Sequence, residues 1–140
     1  MAPANPDVEQ ITFDPHPPPF CGRCETMKFV ASADGVLRIE TGYYAGHYRD
    51  WRRRREVRRI TPEQFADFKA RLAAYRGERD IVGGEEGCRT YHTDDAGLRV
   101  EWVSGSDRRV RVFDLGCQDD PAMNKAVLAA PTALGLKPPF

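Results

Sequence analysis

From Met27 to Thr41, apolar and polar side chains alternate on both sides of a single Asp34-Gly35 step, which leaves few folds open to the chain. Successive residues of a strand point to opposite faces, so Met27, Phe29 and Ala31 share one face while Lys28, Val30 and Ser32 take the other. Leu37, Ile39 and Thr41 resume the pattern against Arg38 and Glu40, and the whole reads as a β-hairpin with one apolar face. A two-residue loop would set Phe29 across from Glu40. A three-residue loop of Ala33, Asp34 and Gly35 sets Phe29 opposite Ile39 and Ala31 opposite Leu37. The second register is expected, a type I turn followed by a left-handed Gly35, because it gathers the larger apolar side chains on one face.

A second hairpin follows the same rule further on. Leu98, Val100 and Trp102 alternate with Arg99 and Glu101, Ser104-Gly105-Ser106-Asp107 breaks the run, and residues 109–115 alternate again. Between the hairpins Thr61 is an N-cap, Pro62 suits the first helical position and Gln64 completes a capping box. Phe65, Phe68, Leu72 and Tyr75 then recur at helical spacing, so an amphipathic helix is expected over 62–76, closed by Gly77. Asp120-Pro121 opens a short second helix over 121–130, carrying Met123, Val127 and Leu128 and stopped by Pro131. The expected fold is α+β: an antiparallel sheet of about four to six strands, with the main helix packed on one face.

The remaining stretches are less regular. Residues 1–19 hold six prolines, which fix φ and remove donors, so this leader is expected to be extended, with a short edge strand at most over 9–14. Residues 42–56 read as irregular, 57–60 as one more short strand, and 78–95 as turn-rich with room for a strand at 89–93. At 140 residues and 41% hydrophobic, the chain supports one core. The expected organisation is a leader at 1–19, one domain over 20–131 and a partly ordered tail at 132–140. No apolar run reaches the roughly 18 residues of a membrane-spanning helix. No charged and then apolar start marks a signal peptide in this sequence.

Four cysteines, Cys21, Cys24, Cys88 and Cys117, admit three readings. The first is disulfides formed in an oxidising compartment. Were 89–93 a strand in a simple meander, Cys88 and Cys117 would stand about 20 Å apart, too far to bridge. With 78–95 as loop, both sit at one end, so Cys88–Cys117 is favoured, and with it Cys21–Cys24. The second reading is a redox-active Cys21-Gly22-Arg23-Cys24, but such a site starts a helix that lowers the thiol pKa, whereas prolines precede this one and a strand pattern follows it. The third is a zinc site, for which the second Cys-x-x-Cys half is missing.

Formal charge is zero, which hides a local imbalance. Seven arginines between Arg49 and Arg59, against Asp50 and Glu56, leave +5 on that segment and −5 on the rest. Tyr43, Tyr44, Tyr48 and Trp51 lead into Arg52, Arg53, Arg54 and Arg55, so guanidinium groups and rings that could meet phosphates and unpaired bases occur together. The simpler reading is a solvated loop or edge strand whose like charges repel other chains. It is preferred, because the acidic remainder opposes a nucleic acid, while an acidic protein or anionic envelope polymer would meet the same segment. His16, His47 and His92 lack metal-ligand spacing, no serine sits in a Gly-x-Ser-x-Gly setting, and Asp94-Asp95 and Asp119-Asp120 suit turns and caps. No catalytic constellation, metal site or cofactor motif emerges.

Taken in order, the cysteine pair before the first hairpin, Asp34-Gly35, the Thr61–Phe65 cap and Thr93-Asp94 before the closing hairpin resemble an uncharacterised family of small bacterial envelope domains of periplasmic or lipoprotein type. The family's Cys-x-Gly-x-Cys-Pro is here Cys-Gly-Arg-Cys-Glu, one residue shorter and without proline. The resemblance implies export and an α+β fold, and carries no activity. The expected function is therefore a non-enzymatic, exported, disulfide-stabilised binding module that uses the segment from Tyr43 to Arg59. The alternatives are a thiol-disulfide oxidoreductase at Cys21 and Cys24, and a binder of nucleic acid or anionic polymer through Arg49–Arg59.

Overall fold

In a computed structural model, residues 7–18, 24–45, 48–77, 81–82, 88–92 and 95–137 are described, with the side chains of 44–45, 48–52 and 81–82 left aside. The strands are β1 (Gln10–His16), β2 (Cys24–Ser32), β3 (Val36–Ala45), β4 (Tyr48–Arg59), β5 (Ile81–Val82), β6 (Gly97–Ser104) and β7 (Asp107–Asp114). Helices α1 (Pro62–Ala73) and α2 (Pro121–Ala129) and a 3-10 turn (Ala130–Leu134) complete the architecture. The fold is α+β. One sheet runs in the order β4-β3-β2-β1-β6-β7-β5, antiparallel except where the two-residue β5 lies parallel to β7.

The first hairpin takes the three-residue register: Phe29 faces Ile39, and Ala31 faces Leu37. The Gly35 amide closes the turn on the Ser32 carbonyl at 3.0 Å, and Gly35 sits at φ +91°, where a Cβ would be strained. The second hairpin turns at Gly105 and pairs Leu98 with Phe113 and Val100 with Arg111.

β1 corrects the expectation of an edge strand in the leader, because it lies in the middle of the sheet. It pairs with β2 from Gln10↔Ser32 to Phe13↔Phe29, and with β6 from Gln10↔Val103 to His16↔Gly97. Ile11 and Phe13 are fully buried, and burial of two large apolar side chains outweighs the cost of the nearby prolines. Pro15 comes after the last pair with β2, so its missing donor falls where β1 no longer has neighbours on both sides.

Over this centre lies α1. Phe65, Phe68 and Leu72 are buried, and the Phe68 ring meets those of Phe13 and Phe29 at 6.2 and 5.6 Å. Its start is the capping box read from sequence: the Gln64 amide donates to Thr61 Oγ1 at 3.0 Å and the Thr61 amide to Gln64 Oε1 at 2.9 Å. The helix stops at Ala73, short of the expected Arg76, where the Tyr75 and Arg76 amides tighten onto the Leu72 and Ala73 carbonyls. α2 ends at Ala129, and the 3-10 turn leads to Leu134 and Leu136, both in the core although they lie beyond Pro131. Among the described residues, no helix is long and apolar enough to cross a membrane.

Candidate functional site: an arginine edge strand

The stretch read as irregular, 42–56, is instead the distal half of a long two-strand ribbon. β3 and β4 pair from Val36↔Arg59 to Ala45↔Tyr48, with irregular register between Thr41 and Ala45. Among the described residues β4 ends the sheet and has a neighbour on one side only. This explains why period-two reasoning failed, since every residue from Arg53 to Arg59 is exposed and neither face of the strand carries an apolar stripe. Val57, at 67% exposure, stands among them.

Register assigns each arginine to a face. Arg54 pairs with Thr41 and Arg58 with Leu37, which places them on the helix-covered face, while Arg55 and Arg59 pair with Glu40 and Val36 on the open face. Arg53 reaches Glu40 at 3.2 Å, and Arg58 holds Glu56 at 2.7 Å. That hydrogen bond from Arg58 draws the Glu56 carboxyl below its ordinary range and raises the guanidinium in return. Arg54, Arg55 and Arg59 form no ion pair among the described residues.

Beside Arg54 lies a groove of about 230 Å³, on the helix-covered face beyond the buried Phe29↔Ile39 pair. Met27 and Thr41 line it together with Glu25, Tyr43, Arg54 and Lys137. Lys137 comes from the chain after the 3-10 turn, so three strands and the C-terminal segment meet at one opening. Two cations beside one carboxylate favour an acidic group. Of the residues expected to bind, Tyr43 and Arg54 line this groove, while Arg53 and Arg55 stand on the open face of β4. Tyr44, Tyr48, Trp51 and Arg52 lie on the same two strands, but their side chains are outside those described. Sequence reading missed Glu25, Met27, Thr41 and Lys137, the last because nothing local joins it to β2.

The second cysteine pair is bonded as expected: Cys88 and Cys117 form a disulfide with Cα atoms 5.8 Å apart. Among the described residues at 88–92 the pairing is a single bridge, Tyr91↔Cys117, which lets both cysteines sit at one end of β7. Asp119 closes this corner by accepting the amides of Arg89 and Thr90, each at 2.9 Å, and those two bonds hold its carboxyl below the usual range. Joined sulfurs offer no thiolate to a metal, which weighs against the four-cysteine zinc reading. Cys24 is disulfide-bonded too and opens a strand rather than a helix, whereas Cys21 lies outside the described residues. No protein family matches the chain, and no curated protein does either.

Proposed function

We propose that this protein is a non-enzymatic binding module of an oxidising, exported compartment, and that β4 and the adjoining groove are its contact surface for an acidic partner. The observation that carries this reading is an edge strand exposed on both faces from Arg53 to Arg59, with five arginines against one glutamate. Packing does not require those guanidinium groups there, and like charges along a strand oppose one another, so the arrangement suits a partner that supplies carboxylates. The disulfides support the compartment, since such bonds persist where thiols are not kept reduced. Cys24 at the head of a strand lacks the helix N-terminus that activates a catalytic thiolate, which weighs against the oxidoreductase alternative.

The test is a triple variant, Arg54→Gln, Arg55→Gln and Arg59→Gln, passed over an immobilised polyglutamate column. Retention is expected to fall about tenfold or more while the melting temperature stays that of the parent. Unchanged retention overturns the proposal.

A further inference from the structure

We infer that the partner docks as an added strand: an extended acidic peptide pairing with the outer edge of β4. The inference rests on the binding reading above and goes further by naming the geometry. β4 spans twelve residues, and its edge away from β3 offers the backbone donors and acceptors of an unfinished ladder.

The placement of the arginines selects among possible occupants. Arg53, Arg55 and Arg59 share the open face with Glu40 and Val36, whereas Arg54 and Arg58 share the opposite face with Thr41 and Leu37. A nucleic-acid backbone tracking along either face meets one set and leaves the other in water. A strand laid on the edge sends its own side chains alternately to the same two faces, each about 5 Å from its cross-strand neighbour, and so meets both sets. A second copy of this chain is disfavoured, because β4 against β4 sets arginine near arginine. The exposed Val57 interrupts the charge and calls for one apolar residue in the facing segment. At the far side of the sheet the corresponding edge, that of β7, is already met by β5 at Ile81–Val82.

The experiment uses the full chain and a capped peptide of alternating glutamates and β-branched residues, with carboxylates on both faces. A second peptide of the same sequence is N-methylated at every residue, which keeps the charge and removes the ladder donors of both its edges. A single-stranded oligonucleotide of equal charge is the third probe. Strand addition expects the unmodified peptide to bind about tenfold or more tighter than the methylated one. It also expects slower hydrogen exchange at alternate β4 amides. Equal binding of the two peptides overturns strand addition while leaving the acidic-partner reading standing. Tighter binding of the oligonucleotide than of either peptide also overturns it, in favour of a nucleic-acid surface. Failure of all three probes, together with unchanged behaviour on polyglutamate, overturns both.

Discussion

β7 and β4 both carry arginines at or near an end of the sheet, yet they spend them differently. On β7, Arg111 donates to the Tyr75 carbonyl and lies over the Phe113 ring, and Arg109 donates to the Gly77 carbonyl at 3.2 Å, so two strand residues finish the C-terminal end of α1. Gly77 leaves room for this, since a Cβ there would collide with the Arg111 guanidinium. Arg108 joins Arg99 on Glu101, whose carboxyl is drawn below its ordinary range chiefly by the Arg108 hydrogen bond. On β4, among the described residues, no helix end and no further strand lies beside the arginines, and three of them have no ion pair. The same side chain is thus mortar where a neighbour lacks a donor, and display where no neighbour exists.

Substitutions should separate these two roles by size of effect. The largest belongs to the β7 corner: replacing both Cys88 and Cys117 with serine opens a link across 29 positions and should lower unfolding stability by about 3 to 4 kcal/mol in urea titration. Next comes Arg111→Met, which strands the Tyr75 carbonyl and should cost about 1 to 3 kcal/mol, against no more than about 0.5 for Arg55→Ala on β4. Equal losses from the two arginine variants would break the comparison. Smallest is the pH response. Asp119 and Glu101 titrate below their ordinary values of 3.8 and 4.5, so the unfolded chain binds more protons than the folded one as acid is added. Their contribution is present above about pH 4.5 and is lost as pH falls through the folded-state values. Asp119→Asn should flatten that acid limb of a stability-versus-pH curve. Glu56→Gln should flatten the same limb, since Arg58 likewise holds that carboxyl below its ordinary range in the folded chain.

How much of this could be read beforehand depended on whether the cause was local. Gly35 and the alternation around it set the hairpin register, and Thr61, Pro62 and Gln64 set the start of α1, because turn and cap chemistry act within a few residues. The end of α1 was placed three residues late, at Arg76 before Gly77, and its completion by Arg109 and Arg111 was not readable because they lie more than thirty positions downstream. β4 was read only in part, as a short strand at 57–60 and a run that could be loop or edge strand, because a strand wet on both faces has no hydrophobic period to detect, only composition. Composition singled out Arg53 to Arg55 and Tyr43 as a segment to watch, although it left loop and edge strand open and could not say which faces the residues share. β1 was misplaced since its prolines suggested an edge, while Ile11 and Phe13 were enough to draw it between two hairpins.

That central position has a kinetic corollary. Ile11 pairs with Ala31, about 20 positions on, and with Trp102, about 90 positions on, and such distant closure slows folding. Trp102 is buried on closure, and its fluorescence should therefore report the moment when the two halves of the sheet become one.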